Sequence, residues 1–226
     1  MKSAVEIKNL EFRYAPKLPA VIVIKELKLE QGKSHLIYGE SGCGKSTLLN
    51  LISGVVRSPK GATLRVMDTD LTNLSSSQCD QFRSTQMAFI FQQFNLIPYL
   101  TARDNIELPQ RFRSHAPVSQ SELDSIAERL QITPILSQKA VTLSHGQQQR
   151  VAAARALYHH ASLVIADEPT SALDHANSEI FMKIMLDRVK KNKTTLVVVS
   201  HDLRYKKEFD NVIDFQKINQ VTKTVR

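Results

Sequence analysis

At 226 residues, with 42% hydrophobic and 23% charged residues and no tryptophan, the chain is long enough to bury a substantial core and has a globular composition. Its apolar runs, such as VIVI from Val21 and LVVV from Leu196, are too short for a membrane-spanning helix. Net charge is +8, with eleven basic and five acidic residues between Lys183 and Arg226. No aromatic-interleaved basic motif accompanies that tail, so it reads as a solvated face and no nucleic-acid partner is expected.

The opening MKSAVEIKNLEF has Glu6 and no apolar run, and is not expected to act as a secretory signal. Two cysteines, Cys43 and Cys79, give neither a disulfide framework nor metal-ligand spacing, so a reducing cytosol is the expected setting. From Val5 to Tyr38 apolar and polar residues alternate, with Pro16 and Pro19 interrupting and a turn at Gln31-Gly32: a β-rich opening. Tyr14 ends the first strand, where its ring either stacks on a nucleotide base or packs as an edge-strand tyrosine.

Gly39-Glu40-Ser41-Gly42-Cys43-Gly44-Lys45-Ser46-Thr47 fits G-x-x-x-x-G-K-[ST], a phosphate-binding loop. The glycines let successive N–H groups turn inward into a nest for phosphate oxygens. Lys45 adds a point charge, and Ser46 offers a hydroxyl to Mg²⁺. SHLIY before the loop reads as a strand, and KSTLLNLIS after it as a helix closed by Gly54, so a helix N-terminus faces the anion. Because Cys43 lies inside the loop, a thiol reagent is expected to block nucleotide binding.

Gly61–Val66 and Met87–Phe91 read as strands, separated by a polar stretch with a short helix starting at Ser75–Ser77. Gln92 at the end of the second strand is a weak metal or water ligand on its own. Between Asn95 and Val141, Pro98, Pro109, Pro117 and Pro134 punctuate helical patterns, including a capping box predicted at Ser119-x-x-Glu122: a small helical lobe inserted between β-containing parts.

Leu143-Ser144-His145-Gly146-Gln147 precedes an Ala-rich helix, with Ser144 as N-cap; the start of that helix is either a second anion site or ordinary capping. Ser162–Ala166 reads as a buried parallel strand, expected beside the phosphate-loop strand, and ends at Asp167-Glu168, where ligands bind in α/β sheets. Asp167 suits Mg²⁺, and Glu168 suits orienting and deprotonating a water. Asp174 caps a helix over His175–Lys190, with Ile180, Ile184 and Val189 expected inward. Thr194–Ser200 is a further buried strand ending at His201, a hydrogen-bond donor suited to a phosphate, and VIDFQKINQVTK reads as a hairpin on one edge.

Taken together, these segments resemble the nucleotide-binding subunits of ABC (ATP-binding cassette) transporters over essentially the whole chain. The matching segments stand in order: Tyr14, the phosphate loop, Gln92, LSHGQ, LVIADE, Ser171-Ala172-Leu173-Asp174 and His201. LSxGQ is the specific one, since other phosphate-loop classes lack it; a GTPase reading fails because Asn192-Lys193-Thr194-Thr195 lacks the aspartate of N-K-x-D. His145 stands where the family usually has glycine, and the flanking Ser144 and Gly146 are retained.

The resemblance implies an α/β phosphate-loop NTPase core with a mixed, mainly parallel sheet, an N-terminal antiparallel part and an inserted helical lobe. Residues 1–226 would form one nucleotide-binding domain, with a core lobe at 1–91 and 159–226 and a helical lobe at 92–158. It further implies ATP and Mg²⁺ as ligands: Tyr14 on adenine, Lys45 and the loop on phosphates, and Ser46, Gln92 and Asp167 on the metal. Glu168 would activate water and His201 contact the γ-phosphate, while Ser144, Gly146 and Gln147 would close over ATP held by a second copy in a head-to-tail dimer. Asp174 would belong to the segment crossing that interface.

FIFQQFNLIPYLTARDNIELP is most similar to the lipoprotein-releasing, macrolide-exporting and cell-division subgroup. That implies a cytoplasmic subunit, peripheral on the inner membrane face, powering a separate permease that docks on the helical lobe, including Phe94–Tyr99. An alternative is a mechanotransmission or regulatory ATPase acting on cell-wall enzymes through a membrane partner. A DNA-repair or translation ATPase is disfavoured: those carry long coiled coils or two cassettes per chain.

Overall fold

The computed structural model describes residues 2–112 and 119–221. Pro117 and the Thr222-Lys223 end of the expected hairpin lie outside them.

The alternating opening forms β1 (Ser3–Phe12) and β2 (Ile22–Glu30), paired antiparallel with Ile7 opposite Leu27 and Leu10 opposite Ile24. β4 (Thr63–Val66) joins the other side of β1, and the two-residue β5 (Thr69–Asp70) completes the order β2-β1-β4-β5. Met67 and Asp68, both at positive φ (47° and 66°), make the tight turn between β4 and β5.

The second sheet is parallel throughout, in the order β6-β7-β8-β3-β9: Met87–Ile90, Leu163–Asp167, Thr195–Ser200, Ser34–Tyr38 and Asn211–Asp214. Its inner strands are apolar runs buried on both faces, with alternate residues feeding two separate cores, whereas the edge strand β9 leaves Val212 exposed. Leu36, Val164, Leu196 and Val198 join the core under α5 (His145–Tyr158) and α6 (His175–Asn192). Ile37, Ile165, Val197 and Val199 join the core shared with α1 (Lys45–Ile52) and the antiparallel sheet.

β8 lies between β7 and β3, so the strand bearing Asp167 is one place away from the phosphate-loop strand rather than beside it. Strand adjacency in a parallel sheet depends on where each crossover returns, which local pattern does not encode. All three strands nevertheless end on the same edge.

α2 (Ser76–Gln86) starts at Ser75 with a complete capping box, as expected of the serine cluster. Between β6 and β7 come α3 (Ala102–Glu107), α4 (Gln120–Arg129) and α5, with short 3₁₀ turns. The fully buried Asn105 secures the Pro98 turn: its Oδ1 accepts from Ile97 N (2.7 Å) and its Nδ2 donates to Ile97 O (3.1 Å).

Three local expectations need correction. Ser119 caps α4 by accepting from Glu122 N, but the reciprocal half of the box is not formed. Glu122 Oε1 instead meets Arg188 (3.0 Å) and His160 (2.7 Å), a stronger pairing for a carboxylate than one backbone N–H. Ile180 is 42% exposed, the buried side of α6 being Phe181, Met182, Ile184, Met185, Leu186 and Val189. Finally, the chain after Asp210 makes one parallel strand, β9, and then a helical turn, α7 (Phe215–Ile218), rather than a hairpin. Asp214 ends the strand by accepting from Gln216 N, which starts the turn.

Candidate functional site

The phosphate loop joins β3 to α1. Gly42 and Gly44 sit at φ 76° and 106°, where a side chain would be strained. A Cβ at Gly44 would also stand 3.1 Å from Val21 O and 3.2 Å from Ile22 Cδ1, so the loop packs directly on the start of β2. No side chain caps the first turn of α1, which leaves its end open to an anion. Lys45 is buried, and its Nζ donates to Gly39 O (2.8 Å) and Glu40 O (2.7 Å).

Ser46 follows on the helix, and its Oγ donates to Asp167 Oδ2 at 2.8 Å. Burial pushes the Asp167 carboxyl above its ordinary value, while the Ser46 hydrogen bond opposes that shift. On the other side, Tyr14 OH lies 3.0 Å from Thr47 Oγ1, and its 58%-exposed ring stands edge-on to Phe12.

Glu168 is held more tightly than any other acid of the cleft. Its backbone adopts φ 49°, and its N–H donates to Val199 O at 2.8 Å, which turns the side chain towards the end of β8. There Oε2 accepts from Ser200 Oγ (2.9 Å), and Oε1 accepts from His201 N (3.1 Å) and Nδ1 (2.8 Å). A carboxylate can only accept, so His201 Nδ1 carries a hydrogen and donates it to Glu168, which leaves Nε2 for a further partner. The His201 side chain is 72% exposed against 15% for Glu168.

A cleft of about 650 Å³ unites Tyr14, Ser41, Gly42, Gly44–Thr47, Gln92, Asp167, Glu168 and His201. Val21, Ser171 and Ser200 were not singled out by the sequence as site residues. Val21 and Ser171 line the cleft, and Ser200 anchors Glu168. The one sequence signal for Ser200 was its position, a polar residue at the carboxyl end of a buried strand. Gly39, Glu40 and Cys43 form the back of the loop: the first two hold Lys45, and Cys43 N donates to Glu40 O.

Ser144, Gly146, Gln147 and Asp174 do not line this cleft. Ser144 and Gln147 form a complete capping box at the start of α5, and Asp174 caps α6 through Asn177 N (2.9 Å). A Cβ at Gly146 would touch Leu173 and Ala172, so these two helix starts pack together. His145 stands edge-on to Phe94, whose carbonyl, with that of Asn95, accepts from Arg155 (both 2.7 Å).

A separate apolar cavity of about 410 Å³ lies between β6, α2 and α5, with Val55, Phe89, Phe91, Leu108 and Phe112 among its lining.

The family model described as ABC transporter matches residues 25–171. LolD, a lipoprotein-releasing system ATP-binding protein of Legionella pneumophila, is 37% identical over 83% of both chains. The macrolide export ATP-binding/permease protein MacB of Haemophilus ducreyi is 34% identical over 94% of this chain, which spans only 31% of that protein's length. The uncharacterized ABC transporter ATP-binding protein MJ0796 of Methanocaldococcus jannaschii is 34% identical over 92% of each chain. A dimeric structure of MJ0796 superposes with a TM-score of 0.84 at 29% identity, covering 93% of this chain and 94% of that one. A second dimeric structure of MJ0796, a post-hydrolysis state bound to ADP and Pi, gives a TM-score of 0.82 at 31% identity over the same shares. Sequence and fold agree over nearly the full length, and the chain belongs to the ABC transporter family as an ATP-binding cassette with ATPase activity.

Proposed function

We propose that this cassette is the ATP-hydrolysing subunit of a membrane complex, driving a separate permease that exports or handles a lipoprotein, peptide or macrolide. The observation that carries this reading is the Glu168 carboxylate, fixed by Ser200 and His201 at the open side of a phosphate loop. The relatives LolD and MacB support the class of work.

ATP enters with adenine towards Tyr14 and its phosphates in the loop. Lys45 exchanges the carbonyls of Gly39 and Glu40 for phosphate oxygens. Ser46, Gln92 and Asp167 offer oxygen donors in one cleft, and the Ser46–Asp167 contact already brings two of them together, a set that suits Mg²⁺. When bound, that ion neutralises charge on the β- and γ-phosphates. Glu168 accepts a proton from the attacking water, and His201, in its doubly protonated form, keeps Nδ1–H on Glu168 and donates Nε2–H to the γ-phosphate.

Ser144, Gly146 and Gln147 lie outside the cleft and serve the ATP of a second copy, in a head-to-tail dimer whose interface the Asp174 segment crosses. The dimeric MJ0796 cassettes support this arrangement. No described helix is long and apolar enough to cross a membrane. In this reading, supported by the relative LolD, a separate permease supplies the spans and the cassette sits peripherally on the cytoplasmic face. We assign residues 92–158 as the docking lobe. Its Tyr99 is 73% exposed, whereas Phe94 is buried; the apolar cavity edged by Phe112 receives a permease segment.

Two measurements test this. Lys45→Ala should lose ATP binding by calorimetry; unchanged affinity would refute the phosphate assignment. Affinity purification from detergent-solubilised membranes should recover a multi-span protein, and recovery of the cassette alone with full ATPase activity would refute the permease.

A further inference from the structure

α7 follows β9, and its first residue and the residue that ends it both reach the back of the phosphate loop. Phe215 is fully buried, and a Cβ at Gly39 would stand 3.2 Å from its own Cβ. One helical turn later Asn219, whose N–H donates to Phe215 O, points the same way.

The Asn219 amide is half-buried, and its partners fix its orientation. Oδ1 accepts from Val23 N at 2.8 Å, and Nδ2 donates to Val21 O at 3.0 Å and to Cys43 O at 3.3 Å. Both amide hydrogens and the facing oxygen are thereby used. The next residue adds a fourth tie, Gln220 N donating to Val23 O at 2.8 Å. Val21 and Val23 belong to the segment that closes the Tyr14 loop; Cys43 belongs to the phosphate loop. One side chain therefore ties the back of the phosphate loop to the start of β2, two segments that border the cleft.

Val21 is where these restraints meet. Its carbonyl accepts from Asn219 and abuts Gly44, and Val21 itself lines the cleft. If Val21 shifts, Gly44 loses its packing surface and the loop loses its curvature.

We propose that Asn219 is a positioning residue for ATP, a clip that fixes the spacing between the adenine side and the phosphate side of the cleft. It touches no reacting atom, so it acts on nucleotide affinity and not on the chemical step. The proposal rests on the cleft being the ATP site.

The test uses two variants, assayed for ATP hydrolysis across ATP concentration, for ATP affinity by calorimetry and for nucleotide-free stability. Asn219→Ala removes all three bonds. Asn219→Asp keeps the shape and the acceptor for Val23 N but loses both donors. Each should raise KM and Kd for ATP about tenfold, equal to about 1.4 kcal/mol, with kcat within about twofold of the parent. A merely structural loss would lower the active fraction, hence the apparent kcat, and leave KM unchanged. KM within about twofold of the parent in either folded variant overturns the proposal. So does failure of both variants to fold, which would make Asn219 a folding residue. If the parent chain itself binds no ATP, the site assignment fails with it and the variants are not the cause.

Discussion

Replacing Glu168 by Gln tests the reaction chemistry with little change in shape. The amide oxygen can take over the contacts of Oε1 with His201 N and Nδ1. The amide NH₂ then faces Ser200 Oγ, which can accept instead of donating. Neutral hydrogen bonds replace charge-assisted ones at a side chain only 15% exposed, a cost in fold stability of about 1–2 kcal/mol. What is lost outright is the group that takes the water's proton. General-base removal lowers turnover by about 10²–10⁴, or about 3–5 kcal/mol in barrier at 1.36 kcal/mol per decade. The assay pairs ATP hydrolysis at saturating ATP with calorimetric ATP binding and size-exclusion chromatography in ATP. Binding should persist, turnover should fall by at least about a hundredfold, and an ATP-held dimer should accumulate. Turnover within about tenfold of the parent would refute the role of Glu168; monomer alone in ATP would refute the shared site.

Gly44→Ala combines φ 106° with a contact of 3.1 Å to Val21 O, so it should cost about 2–4 kcal/mol and lower the thermal midpoint by about 5–10 °C, with weakened ATP binding. Gly61→Ala, at φ 86° with nothing near its Cβ, should cost only about 1 kcal/mol in the same melt. His35 is buried with Nε2–H donating to Glu30 O (2.9 Å) and Nδ1 without a partner, and burial holds its pKa below the ordinary value. A lowered histidine gives stability that is full above the unfolded value of about 6.5 and falls as pH drops through the folded one. His35→Gln should therefore flatten the loss of urea midpoint between about pH 7 and pH 5; an unchanged slope would refute it. Glu122→Ala removes the carboxylate shared by Arg188 and His160 and should cost about 1–2 kcal/mol by urea denaturation.

Much of the site was legible because its chemistry is contiguous in sequence. Gly39–Thr47 carries its own glycines, lysine and hydroxyls, and Asp167-Glu168 follows a short, β-branched apolar run that reads as a buried parallel strand. The alternation from Val5 to Phe12 likewise fixes which residues face the core. What stayed hidden depends on long-range pairing. β8 between β7 and β3 is set by crossover geometry. Val-Ile-Asp-Phe after Asn211 has the period of a strand, yet Asp214 converts it into a helix start. Ile180 was placed inward because apolar residues occur around much of α6, and packing chose Phe181 and Met182 instead. Ser200 and Asn219 belong to no motif: their meaning comes from partners 32 and up to 198 residues away.

The two carbonyls that hold Lys45 have a consequence for selectivity among cellular anions. An ammonium already donating to Gly39 and Glu40 exerts little pull on a stray orthophosphate, which would have to displace both contacts with one small, strongly hydrated ion. A polyphosphate chain occupies the loop amides first and then presents its next group to the lysine at high local concentration, so the displacement becomes intramolecular. The exchange at Lys45 therefore favours a ligand long enough to hold the loop amides while its next phosphate displaces both carbonyls.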